Sequence, residues 1–448
     1  LFLLIDHKHF LQGHWVHLDL VAVHVRRKAP ALRGLVEQVE RRVPAERLPA
    51  RLQPVLQRAA EPIQPLAVRE RIFCNGPGGF TPDGREYVVT LEPGEHTPAP
   101  WVNVIASPHI GTVVSESGSA YTWVENAHEF RLTPWHNDTL GDSSGEALYI
   151  RDEETGAFWS PTPLPVSMYP RGQSGYVCRH GFGYSVFEHA EDGIHTELWV
   201  YVAQDAAVKF SVLKVRNTSG RPRRLSATGY VEWVLGDLRS ASAMHVTTEV
   251  DPYSGAIYAR NPYNTDFPDR VAFFDVDDAN RTVSCDRAEF IGRNRSLENP
   301  AAMTRTHLSG RIGSGLDPCA AIQVGFDLAD GQEREIIFRL GLGGVPGGDD
   351  ANHLAHRFRG TDAARRALES VWYYWNHTLG AVQVETPDQS LNVLSNGWLL
   401  YQTLACRMWA RSGYYQSSGA FGFRDQLQDA MALMHAEPRL LRAQLLLC

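Results

Sequence analysis

Hydrophobic and polar positions alternate in short runs from about residue 73 to 342, with Gly, Pro, Asp and Asn between the runs. EYVVTLE, WVNVIA, ELWVYVA, VKFSVLKV, TGYVEWVL, RVAFFDV, AIQVGFDL and REIIFRLGL read as strands, being rich in β-branched and aromatic residues. Val208, Phe210 and Val212 alternate with Lys209, Ser211 and Leu213, which predicts a strand with one buried face. Many short strands without helices between them predict a large antiparallel sandwich across 73–342.

On either side of the strands the period becomes helical. Residues 1–72 read as a helical segment, with Leu32, Leu35, Val39 and Val43 at spacings of three and four. LGLGGVPGGDD (340–350) reads as a linker, and no GK[ST] follows its glycines to make a phosphate loop. DAARRALESVWYYWNHTLG then places Leu368, Val371, Trp372, Trp375 and Leu379 on one helix face and ends at Gly380. SLNVLSNGWLLYQTLACRMWARS is a second helix, apolar around most of its circumference and so expected to be buried; GFRDQLQD opens a third. The expected order is a helical segment (1–72), a sandwich (73–342), a linker with one helix (343–383) and further helices (384–448).

Composition excludes some partners. A formal charge of −8 gives no footing for nucleic acid or an anionic membrane. The six cysteines (74, 178, 285, 319, 406, 448) form no CxxC pair, which argues for reduced thiols and a cytoplasmic setting rather than zinc or disulfides. No apolar run is long enough to span a bilayer, and the opening LFLLIDHKHF carries charges too early for a signal peptide. The chain begins without Met and ends in RAQLLLC, so it reads as a fragment.

The candidate chemistry lies in GFRDQLQD. On a helix Asp425 and Asp429 stack with about 6 Å between Cβ atoms, Arg424 and Gln428 run beside them, and Leu427, Met431 and Met434 fall opposite. By itself this is the wheel of an ordinary surface helix. Two features weigh against that reading: the acids have no lysine partner, and Gly419 and Gly422 permit close approach of another chain or a ligand. One guanidinium, two carboxylates and two amides suit the alternating donors and acceptors of a sugar. Two acids on one helix straddle a glycosidic bond poorly, which favours binding over cleavage. Three sandwich segments, NGPGGFTPDGREYVV, ENAHEFRLTPWHND and RHGFGYSVFE, mix polar and aromatic residues and read as loops of a carbohydrate-facing rim. Serine hydrolase, zinc protease and dinucleotide motifs are absent from the chain.

These segments, with TPAPWVNVIASPHIGTVVSESGSAYTWVENAHEFRLTPWHND, GEALYIRDEETGAFWSPTPLP, GRNRSLENP, GLDPCAAIQ and YYQSSGAFGFRDQLQDAMAL, resemble glycoside hydrolase family 94 over about 73–448. The likeness is greatest to its β-1,2-glucan members, the phosphorylase-like region of cyclic β-1,2-glucan synthases and the β-1,2-oligoglucan phosphorylases. It implies a super-sandwich, a helical linker and the start of an (α/α)6 barrel, truncated here. It also implies inverting phosphorolysis of a β-glucan, with inorganic phosphate as co-substrate, α-glucose 1-phosphate as product and no cofactor or metal. Phosphate is already anionic and needs no general base, so one carboxylic acid suffices.

The resemblance makes Arg424, Asp425, Gln428 and Asp429 sugar binders and brings Arg131, Trp135 and Asp138 over the acceptor subsite. It puts the general acid and the phosphate site beyond Cys448, leaving this piece inactive without the rest of its polypeptide. A homodimer fits the family, and a full synthase would hold this region on the cytoplasmic side of an inner membrane. Pro77 departs from the apolar residue usual in NGxGGF. Residues 1–72 match poorly and are read as the tail of a preceding glucoamylase-like domain. A non-catalytic carbohydrate-binding sandwich and a glucoamylase-type hydrolase are the alternatives.

Overall fold

A computed structural model describes residues 66–166, 174–413, 416–420 and 422–448. Most of the helical segment expected at 1–72 therefore lies outside the described residues. Its described end, 66–72, is not helical: Ile72 bridges Phe80, each N–H donating to the other's carbonyl at 2.8 and 2.9 Å.

All eight segments read as strands are strands, and every pairing among the described residues is antiparallel. A ten-stranded sheet runs in the order Gly78–Phe80, Glu86–Leu91, Tyr176–Gly181, Tyr184–Glu191, Ile194–Val202, Val208–Asn217, Glu333–Gly343, Val271–Val276, Ile257–Arg260, Thr247–Val250. A five-stranded sheet (Arg281–Asp286, Pro318–Leu328, Arg223–Glu232, Glu146–Asp152, Phe158–Trp159) accompanies it, and Val102–Ala106, Ile110–Ser115 and Ala120–Val124 make a third. One core joins residues of all three sheets, among them Val89, Ile150, Leu213, Val231, Ile322 and Phe338.

The strand Val208–Asn217 departs from the one-faced expectation, because the large sheet is covered on both sides. Leu213 and Val215 enter the sandwich core, while Val208, Phe210 and Val212 pack with Trp375, Leu379 and Tyr401 from the helices. Lys209 points into the sandwich and is buried. Its Nζ donates to Glu146 Oε2 (2.7 Å), Thr112 Oγ1 (2.9 Å) and Thr122 Oγ1 (3.2 Å), so the buried charge is paired and hydrogen-bonded.

The linker is shorter than expected, since the strand Glu333–Gly343 takes its first four residues. Asp350 then caps the helix Ala351–Arg357 by accepting from His353 N at 2.7 Å. The helix Thr361–Leu379 buries Val371, Trp375 and Leu379 as expected, but Trp372 stays partly exposed at the edge, against Trp199 and Tyr184. Gly380 ends this helix in ordinary helical conformation, not the left-handed one. The next helix covers 389–410, opened by the Asp388 cap and containing π-helical turns at Leu394–Trp398 and Thr403–Ala410. It is buried on one side only: Trp398, Tyr401, Leu404 and Ala405 face the core, whereas Leu391, Leu394 and Leu399 are exposed. Phe423–Met431 and Pro438–Leu447 follow. Among the described residues no helix is long and apolar enough to cross a membrane.

Candidate functional site

Two of the three segments read as rim loops do different work. RHGFGYSVFE is a hairpin within the large sheet, not a loop. Its Arg179 donates to Glu188 Oε1 (2.8 Å) and Glu86 Oε1 (2.6 Å), and burial pushes the pKa of His180 down to about 4. The turn of this hairpin seats the helices: Gly183 N donates to Tyr401 Oη at 3.2 Å. Gly183 has φ +82°, and a Cβ there would stand 2.3 Å from Trp375 Nε1. NGPGGFTPDGREYVV does the same from the neighbouring hairpin, Gly84 O accepting from Trp398 Nε1 at 2.8 Å and Arg85 bonding Asn376. In both, aromatic residues and glycines form an apolar surface on which the helices dock.

ENAHEFRLTPWHND does reach the site. Asn126 Nδ2 donates to Gly419 O at 3.0 Å, and Ser417 Oγ donates to Ala127 O at 2.6 Å. Gly419 holds φ +56°, and a Cβ there would come within 2.0 Å of Asn126 Oδ1. The close approach foreseen at this glycine is therefore made by the sandwich loop.

Arg131 lies at the centre of this junction and is buried, with 4% exposure. Its Nε donates to Ala127 O (3.2 Å), Nη1 to Asp237 O (2.6 Å) and Nη2 to Ser417 Oγ (2.9 Å), while the guanidinium lies 5.4 Å from the Trp135 ring centre. Burial pushes its pKa below the usual arginine value. Here Arg131 holds Ser417, ahead of the site helix, against the sandwich, with Tyr121 Oη bonded to Ser412 Oγ beside it. Asp138 serves its own turn, accepting from Gly141 N (2.8 Å), Ser143 Oγ (2.8 Å) and Leu140 N (3.2 Å), and these bonds hold its pKa below the usual carboxylate value. Trp135 is half-buried.

The site helix Phe423–Met431 starts at Gly422 without a side-chain cap. It is seated by Gln426, whose Nε2 donates to Arg407 O at 3.1 Å, and by Ala430. Arg424, Asp425 and Gln428 are exposed on adjoining rows of the helix. The stacked acids do find partners: Asp429 accepts from Arg407 Nε at 2.7 Å, and Arg424 Nη2 stands 3.4 Å from Asp425 Oδ1. Sequence reasoning missed Arg407 because it lies on the preceding helix.

The apolar face is inverted relative to expectation. Met431 and Met434 are exposed and Leu427 is half-buried, because the seating contacts run through Gln426, Ala430 and Leu433. The structure thus brings the four helix residues together and puts Arg131 behind the loop that presents them. Among the described residues no three His, Cys, Asp or Glu side chains are grouped to hold a metal ion.

Residues 85–361 match the family model described as glycosyl hydrolase 94, supersandwich domain. Residues 374–448 match the one described as glycosyl hydrolase 94 superfamily, catalytic domain. The chain is 40% identical over 375 residues to the cyclic beta-(1,2)-glucan synthase NdvB of Rhizobium meliloti, covering 84% of this chain and 13% of that protein. It is 29% identical over 382 residues to the N,N'-diacetylchitobiose phosphorylase of Vibrio furnissii (82% and 46%). It is 26% identical over 381 residues to the solabiose phosphorylase of Paenibacillus borealis (83% and 47%). The chain thus spans less than half the length of each of these relatives.

Proposed function

Because the chain belongs to the glycosyl hydrolase 94 family, we propose that it is part of an enzyme that makes or breaks β-1,2-glucan by inverting phosphorolysis or its reverse. Carbohydrate phosphorylase or synthase chemistry is common to its relatives. The β-1,2 linkage is supported by one observation, 40% identity to a cyclic beta-(1,2)-glucan synthase against 29% and 26% to the two phosphorylases of other sugars.

In this reading Arg424, Asp425, Gln428 and Asp429 grip the glucosyl unit being transferred. A carboxylate accepting from two sugar hydroxyls and a guanidinium donating to a third give directional, charge-assisted bonds. The helices 389–410, Phe423–Met431 and Pro438–Leu447 are the first of an (α/α)6 barrel, with the general acid and the phosphate site in later helices of the intact enzyme. Inorganic phosphate attacks the anomeric carbon, the acid protonates the leaving oxygen, and α-glucose 1-phosphate and a shortened glucan result. Arg131 positions the site loop, and neither metal nor organic cofactor takes part.

The test is incubation of the protein, expressed from its full natural reading frame, with β-1,2-glucan and inorganic phosphate. The expected product is glucose 1-phosphate. Free glucose released equally without phosphate would mean a hydrolase, and glucan binding with no product at all would mean a binding module.

A further inference from the structure

The sandwich rim beside the site loop carries an aromatic pair that the core does not use. Tyr263 and His245 stack face to face, with ring centres 4.1 Å apart and 10° between planes, yet Tyr263 is 72% exposed. Leu238 and Met244 are exposed on the same stretch as His245.

Both halves of the pair sit on stiff backbone. Asn261 is buried; its Nδ2 donates to Leu235 O (2.9 Å) and its Oδ1 accepts from Tyr263 N (3.2 Å). Asn264 Oδ1 accepts from Asp266 N and Phe267 N, both at 3.0 Å. On the other stretch, Arg239 Nε lies 2.6 Å from Glu232 Oε1 and the guanidinium also pairs with Asp317, while His245 N donates to Ser242 O at 2.9 Å. Such loops present a side chain at little entropic cost on binding.

The rim is tied to the site loop through contacts inside the sandwich. Phe267 packs on Phe130, and Arg270 Nε donates to Glu125 Oε1 at 2.6 Å. Arg131 bonds both Asp237 O and Ser417 Oγ. These contacts link the backbone that carries the aromatic pair, through 235–237 and 125–131, to the loop ahead of the site helix.

We propose that the Tyr263–His245 stack is a sugar-ring platform that binds a β-glucan chain beyond the units held at the site helix, and so selects long chains over disaccharides. With one face covered by His245, Tyr263 offers a single oriented face to the C–H side of a pyranose, while its hydroxyl stays at the edge for a sugar oxygen. This inference rests on the reading of the protein as acting on β-glucan.

Calorimetric titration of the protein, expressed from its full natural reading frame, with a β-1,2-linked glucose disaccharide and with a long β-1,2-glucan tests it. In the Tyr263→Ala variant, affinity for the long glucan is expected to fall roughly two- to tenfold, the range of a single aromatic contact, while disaccharide binding is kept. Tyr263→Phe should retain most of the long-chain affinity, and matching thermal unfolding curves exclude a folding defect. A wild-type chain that binds both glucans, with undiminished long-chain affinity in Tyr263→Ala, overturns the platform alone. A wild-type chain that binds neither overturns the β-glucan reading, and the platform falls with it.

Discussion

Arg131 shows how far a side chain's role depends on its surroundings. In sequence it stands among Asn, His and Trp, company that suits a sugar ligand; in the fold its three donor atoms are committed to Ala127, Asp237 and Ser417. Lysine cannot reproduce that planar fork. Arg131→Lys is expected to lower stability by about 1.5–3 kcal/mol, the range for buried hydrogen bonds from a charged group, and to expose the backbone around Ser417 to protease. Urea unfolding and limited proteolysis measure both effects. Unchanged stability with weakened glucan binding would return Arg131 to direct sugar contact.

At the scale of one element, the site helix joins a polar pair of rows to an apolar stripe. Phe423 (68% exposed), Met431 (69%) and Met434 form the stripe, and Leu445, Leu446 and Leu447 are exposed on the following helix. Exposed apolar surface of this kind drives association. The chain on its own is expected to self-associate at micromolar concentration. A Phe423→Glu, Met431→Lys double variant should shift it toward monomer in sedimentation velocity, and a wild-type chain already monomeric would show that the stripe is inert. The polar rows, by contrast, behave much as their spacing suggested, except that Arg407 from the neighbouring helix neutralises Asp429.

Across the whole molecule, two contacts fasten the helices to the sandwich besides the hydrogen bonds of the hairpin turns and the loop at 125–131. One is the apolar cluster that joins Phe182, Phe210 and Phe273 to Trp375, Trp398 and Tyr401. The other is Asp275, fully buried, which accepts from Arg281 Nη1 (2.6 Å), Arg339 Nη2 (2.6 Å) and Arg359 Nη2 (2.9 Å). Arg359 lies between the helices Ala351–Arg357 and Thr361–Leu379, so this carboxylate links that turn to the large sheet. Asp275→Ala leaves the buried Arg339 undercompensated and is expected to cost about 3–5 kcal/mol. Chemical denaturation measures the loss, and hydrogen exchange should show the helix Thr361–Leu379 opening first. A loss no larger than about 0.5 kcal/mol, the scale of a neutral surface change, would mean the network is dispensable.

Period-two runs such as VKFSVLKV and REIIFRLGL were legible as strands because alternation is a local property of the chain, and the motifs of 73–448 were enough to name the family. That GFRDQLQD sets a guanidinium, carboxylates and amides on one helix was likewise legible in its spacing. Strands such as Tyr176–Gly181 and Tyr184–Glu191 were harder to read, because Arg179, His180 and Glu188 look solvent-facing until their partners across the sheet are known. Tertiary structure alone decided that Gly419 meets Asn126, that Lys209 is buried against Glu146, and that Arg131 is buried with Ser417 as a partner. Each depends on residues far apart in the chain, and long-range pairing of that kind leaves no periodic trace in a single sequence.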